Sequence, residues 1–254
     1  MTHHGDQPRP SLEARGLVRT YGDGERKRTL LNQLDVQLYP GQFALLMGPS
    51  GSGKSTLLAV LSGLLAPEAG HVYANDHGKV VDLWELPQKQ RERFRLANTG
   101  FVFQGYNLFP ALTAMQQLEI VLAWGNGPTG GEARRKADDM LERLGLANCR
   151  NKKPAQLSGG EKQRVAIGRA LVKDPMFIFA DEPTSALDWE NGQQVVQLLR
   201  DAAHARGATI FAVTHDTRLV PYADICYHLD GGHLAVSARP GDSGVIPLRA
   251  EGQS

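Results

Sequence analysis

The chain has 254 residues, 41% of them hydrophobic and 22% charged, enough to bury a full core in one large domain. A formal net charge of +1 excludes a general electrostatic drive toward nucleic acid or an anionic membrane surface. The two cysteines, Cys149 and Cys226, stand in no metal or redox spacing and read as reduced thiols, and no apolar run is long enough to cross a bilayer.

Residues 1–10 are polar, carry no apolar signal region and are expected to be flexible. Residues 12–21 and 29–39 read as strands, the second alternating through Leu34, Val36 and Leu38, with a polar turn between them. Pro40-Gly41 closes this antiparallel region, and residues 42–47 form a short apolar strand. Leu57, Leu58, Val60, Leu61, Leu64 and Leu65 then recur at helical spacing until Pro67. A further strand begins at His71-Val72-Tyr73, a charged helix covers 87–96, and a short strand covers 100–103. Residues 108–124 and 132–144 read as helices joined by a flexible loop, a candidate inserted lobe. Strand and helix then alternate again, with strands at 176–180 and 209–213 and a helix at 189–206. The last strands fall around 223–236, and the Gly/Pro-rich segment 237–254 is expected to be a mobile tail. This alternation predicts a mostly parallel sheet covered by helices.

Between the apolar strand and the first helix stands Gly48-Pro49-Ser50-Gly51-Ser52-Gly53-Lys54-Ser55-Thr56, which fits the phosphate-holding pattern G-x-x-x-x-G-K-S/T. Glycines let the backbone approach phosphates closely, so that successive N–H groups point at them. Lys54 brings a positive charge to the β- and γ-phosphates, the Ser55 hydroxyl is a ligand for Mg2+, and the helix start faces the anion. Strand, loop and helix occur in the order such a site requires.

Phosphoryl transfer also needs a held metal and an oriented water. The apolar strand at 176–180 ends in Asp181-Glu182, at the sheet edge where α/β ligands bind. Asp181 can hold the metal and Glu182 can polarise the attacking water as a general base. Alone, this pair reads as a strand meeting solvent; the upstream loop makes it a catalytic candidate. A second glycine-rich helix start, Leu157-Ser158-Gly159-Gly160-Glu161, has Ser158 placed as N-cap.

With these motifs the chain resembles, over residues 11–236, the ATPase subunits of ABC transporters. Tyr21, the Gly48 to Thr56 loop, Gln104, the Leu157 to Glu161 signature, Ser185-Ala186-Leu187-Asp188 after the carboxylates, and His215 all match in order. The resemblance implies a P-loop NTPase fold of ABC type in a single domain: an α/β core with a mostly parallel sheet, an antiparallel β region, and a helical lobe over about 105–172. It implies that ATP and Mg2+ bind. Tyr21 would stack on adenine, Gln104 would touch the metal or the water, Glu182 would be the base, and His215 would hydrogen-bond the γ-phosphate. Ser158, Gly159 and Gly160 would act on the nucleotide of a second, head-to-tail copy, with Asp188 at that interface.

The implied partner is a separate transmembrane permease, which puts the chain peripherally on the cytoplasmic face of the inner membrane. Arg91, Arg93, Phe94 and Arg95, with Asn107 to Ala114, resemble the macrolide-efflux and lipoprotein-release branch, although Asn107 to Pro110 also occurs in polar-amino-acid importers. A module that activates a periplasmic hydrolase is a further alternative. Repair or translation proteins of the family would show coiled-coil insertions or a second cassette, which the sequence lacks. Trp189 departs from the pattern, where a smaller or polar residue is usual, and is read as packing at the interface or capping the next helix.

Overall fold

The computed structural model describes residues 9–22, 24, 27–124, 127–237 and 245–247. Residues 1–8 and most of 237–254 lie outside the described residues, so the expectations of a flexible start and a mobile tail fall largely outside them too. Strands β1 (Leu12–Tyr21) and β2 (Arg28–Leu38) pair antiparallel from Leu12↔Leu38 to Tyr21↔Arg28. The pleat turns Leu12, Ala14, Leu34, Val36 and Leu38 inward.

β3 (Phe43–Met47) leads into the glycine-rich loop and α1 (Lys54–Leu61). α1 stops at Leu61 rather than running to residue 65. Gly63 takes φ 74, and the N–H groups of Leu64 and Leu65 turn back to the Ala59 carbonyl. β4 (Ala69–Asp76) and β5 (Lys79–Asp82) form a hairpin through His77 and Gly78, both left-handed. β5 has only four residues and no apolar alternation, so no periodicity marks it in the sequence. These strands make one antiparallel sheet, ordered β2-β1-β4-β5.

α2 (Gln88–Asn98) and β6 (Thr99–Val102) follow. The helix expected over 108–124 begins only at α3 (Ala114–Ala123). Thr113 caps it by accepting the Gln116 N–H at 3.3 Å. The buried Gln117 amide donates to the carbonyls of Phe109 (2.7 Å) and Leu112 (3.2 Å), which fixes the preceding residues as a loop. α4 (Gly130–Arg143) and α5 (Gly159–Leu171) pack with α3, and Gly168 of α5 faces Leu118, Met140 and Leu144 there.

The chain continues through β7 (Phe177–Asp181), α6 (Trp189–Arg206), β8 (Thr209–Val213), β9 (Ile225–Asp230), β10 (His233–Ser237) and β11 (Val245–Pro247). α6 has its expected bounds because Asp188 caps its start and Gly207, at φ 74, ends it. β11 corrects the reading of 237–254 as wholly a tail. Its backbone pairs with β10 from Ala235↔Pro247 to Ser237↔Val245, at the edge of the sheet where the proline needs no ladder donor.

The second sheet is ordered β11-β10-β9-β3-β8-β7-β6. Its five strands β9, β3, β8, β7 and β6 are parallel, and β10 and β11 extend it antiparallel. Both faces are covered, which is why β3, β7 and β8 read as continuous apolar runs. One face shares its core with α1 and the antiparallel sheet, through Leu57, Leu61, Phe177 and Phe211. The other packs on the helices, through Val165, Ile178, Val195 and Ile210.

Candidate functional site

Because β3, β8, β7 and β6 run parallel, the loops that follow them leave from one edge of the sheet. That edge carries the Gly48 to Thr56 loop, Thr214-His215, Glu182 and Gln104, on consecutive strands.

The loop is shaped for close backbone approach. Gly48 has φ 143, and a Cβ there would stand 2.2 Å from the Leu229 carbonyl oxygen. Gly53 has φ 103 and would meet the Leu30 carbonyl oxygen at 2.8 Å. α1 starts at Lys54 with no side-chain cap and no acidic residue in its first turn, so its leading N–H groups are free to meet an anion. Among the described residues, the Lys54 ammonium donates only to the loop's own carbonyls, Gly48 O at 3.0 Å and Pro49 O at 2.8 Å. Ser52 Oγ is buried without a partner among the described residues. An uncapped helix start, a cation held on carbonyls and a buried unpaired hydroxyl together fit a polyphosphate. Pro49, Ser50, Gly51 and Ser55 are exposed, and Thr56 is half-buried.

Glu182 follows β7 with a left-handed φ of 52, and its N–H donates to Val213 O at 2.9 Å. Its side chain is largely buried, with Oε1 2.7 Å from His215 Nδ1 and Oε2 3.5 Å from Thr214 Oγ1. The His215 side chain is 76% exposed, so its other ring nitrogen faces the open edge. An ionised carboxylate only accepts, so Nδ1 carries the proton in that contact. Asp181 ends β7 next to this pair. The structure therefore gathers Asp181, Glu182 and His215, and adds Thr214, a fully buried hydroxyl that the sequence reading passed over. Its one sequence signal is its place between a buried strand and His215.

Other expected residues stand apart from this group. Gln104 is exposed two residues past β6. Tyr21 ends β1 and is 75% exposed, available to a flat ligand. Ser158 caps α5 through a reciprocal box: its Oγ accepts the Glu161 N–H at 3.2 Å, and its own N–H donates to Glu161 Oε2 at 2.7 Å. Glu161 Oε1 accepts from the Cys149 thiol at 3.0 Å and from Lys152 at 3.3 Å. The Cys149 contact, the Ser158 N–H and Lys152 hold the Glu161 carboxyl down at about 2. Ser158 and Gly159 are exposed.

The signature start neighbours Tyr106 and Leu187, whereas the phosphate loop neighbours Leu30 and Leu229. Asp188 accepts the Asn191 N–H at 2.9 Å, which makes it the cap of α6, and Arg164 reaches Asn191 Oδ1. Trp189 is therefore not that cap. It packs edge-on to Tyr222 and under the Arg218 guanidinium, 4.5 Å from its ring centre, within its own chain.

A profile of the family described as ABC transporter matches residues 31–185. The lipoprotein-releasing system ATP-binding protein LolD 1 of Caulobacter vibrioides is 39% identical over 228 residues, covering 90% of this chain and 96% of that protein. The macrolide export ATP-binding/permease protein MacB of Marinobacter nauticus is 43% identical over 228 residues, covering 89% of this chain but only 34% of that longer protein. A solved dimer of the ATP-binding cassette MJ0796, in a post-hydrolysis state with ADP and Pi, superposes with TM-score 0.82 at 35% identity, over 94% of this chain and 99% of that one. Matched over its phosphate loop and signature, and aligned nearly end to end with a lipoprotein-release protein, the chain belongs to the ABC transporter family as one of its ATP-binding cassettes.

Proposed function

We propose that this chain is the ATP-hydrolysing subunit of a transporter that exports or extracts its substrate through separate membrane subunits, working peripherally on the cytoplasmic face of the inner membrane. The observation that carries the reading is the Glu182–His215 contact of 2.7 Å on the same sheet edge as the Gly48 to Thr56 loop. The names of the relatives, lipoprotein release and macrolide export, support the direction of transport.

In this reading the loop's N–H groups and Lys54 bind the phosphates, and Tyr21 stacks on the adenine. Glu182, oriented by His215 and Thr214, takes a proton from the attacking water, while the outward ring nitrogen of His215 faces the γ-phosphate. Ser55, Asp181 and Gln104 would hold Mg2+, whose positive charge offsets that of the phosphates when bound. Ser158, Gly159, Gly160 and Asp188 serve the nucleotide of a second copy in a head-to-tail dimer. Closure is favoured because the nucleotide contacts both copies only when closed.

The membrane subunit has a candidate seat. Among the described residues, Leu64, Leu96, Phe109 and Trp124 are four of the six exposed large apolar side chains, and all four line one groove of about 520 Å³ beside β6. Arg95, Arg169 and Lys173 line it beside one acidic residue, Glu92, which suits a short helix with an apolar anchor and an acidic flank.

The test is Glu182→Gln. It removes the base while keeping the side chain's size, so ATP binding is retained, phosphate release is lost and the ATP-bound dimer accumulates. Phosphate release at the wild-type rate by the purified variant would sink the assignment of the base.

A further inference from the structure

Gln163 lies on α5, one turn past Ser158–Gly160, and is 0% exposed. Its Nε2 donates to the Pro183 carbonyl oxygen at 2.8 Å. The opposite amide orientation would set oxygen against oxygen, so this contact fixes the side chain. Pro183 follows Glu182 directly and has no N–H of its own. The peptide that carries Glu182 is thus tied at three points: Glu182 N–H to Val213 O at 2.9 Å, Glu182 O from Ser185 Oγ at 3.0 Å, and Pro183 O from Gln163. Two of these ties are local to the sheet edge and its turn. The third comes from the signature helix.

We infer that Gln163 is a positioning residue for Glu182, joining the Ser158–Gly160 helix start to the catalytic carboxylate of the same chain. Glu182 holds a left-handed φ of 52, a conformation that only its surroundings maintain in a residue with a side chain. α5 also contacts the chain beyond Glu182 at Gly160 against Leu187 and, at the start of α6, at Arg164 against Asn191. The inference rests on the composite dimer proposed above. There, the Ser158–Gly160 of one chain touches the nucleotide on the partner's loop, whereas its Glu182 serves its own loop. Gln163 would then carry the filling of one site to the base of the other, and its loss would lower both turnover and cooperativity.

The experiment compares purified wild type, Gln163→Met, Gln163→Asn and Ile167→Val for ATP turnover, ATP concentration dependence and melting temperature. Met keeps the volume without a donor, and Asn keeps an amide too short to reach Pro183. Ile167 is fully buried in the core on the same helix and serves as the stability control. The expected result is a kcat lower by on the order of 10- to 100-fold, the loss typical of a misplaced catalytic group. KM for ATP should change little, the Hill coefficient should fall toward one, and Ile167→Val should keep kcat despite a lowered melting temperature. The inference is overturned if both Gln163 variants turn over within about twofold of wild type while Glu182→Gln is inactive. It is also overturned if their loss merely tracks melting temperature as the control does. If wild type itself releases no phosphate at any protein concentration, the ATPase reading fails first and takes the inference with it.

Discussion

Glu182 occupies a backbone conformation that costs a non-glycine residue about 1–3 kcal/mol. The chain sustains it with a bond to the Val213 carbonyl and bonds from Ser185 and Gln163, and the result is a carboxylate aimed at His215 from the end of a buried strand. Glu161 shows the same economy at the other glycine-rich start. Its carboxyl is drawn from 4.5 to about 2, first by the Cys149 thiol, then by the Ser158 N–H and Lys152. A carboxylate depressed by folding adds stability that is complete above its unfolded value and fades as pH falls toward its folded one. Wild type should therefore outlast Glu161→Gln in urea at neutral pH, and the gap should narrow between pH 4.5 and about 2. A gap independent of pH would contradict the charge-based account. Asp181 and Glu182 were legible because an apolar strand ending in two carboxylates stands downstream of a phosphate loop, and His215 was named by the family resemblance. Thr214 and Gln163 were passed over because their meaning lies in partners 32 and 20 residues away, Glu182 and Pro183.

At the scale of elements, β6 and α5 are pressed together where side chains leave no room. A Cβ on Gly100 would stand 2.3 Å from the Ala170 carbonyl oxygen and 3.1 Å from Pro175 Cγ. Gly100→Ala should destabilise the chain by about 1–3 kcal/mol, several degrees in Tm. An unchanged Tm would mean that strand and helix can separate without loss. This contact sets the distance between the strand leading to Gln104 and the helix that starts at Ser158. α6 and β8 were legible to the residue, although the cap of α6 is Asp188 and not Trp189 as the sequence suggested. The start of α3 was not. Leu108 and Leu112 mimic helical spacing, and only the buried Gln117 amide shows that this backbone is a loop.

At the scale of the molecule, two sheets sandwich α1, and one sheet edge collects the loop and the carboxylates. That much could be read in advance, because buried parallel strands carry runs of apolar residues and their loops all leave on one side. The short edge strands β5 and β11 could not, since a few residues without a period carry no signal. The two glycine-rich helix starts have different neighbours within one chain, and the family resemblance implies that each is half of a site completed by a second copy. The most direct measurement is the ATPase rate per chain as a function of protein concentration. The account predicts that the rate rises with concentration, as copies pair and bring Ser158–Gly160 to the partner's loop, and then levels off once the chain is dimeric. A rate per chain that stays constant down to concentrations at which the protein is monomeric would contradict it.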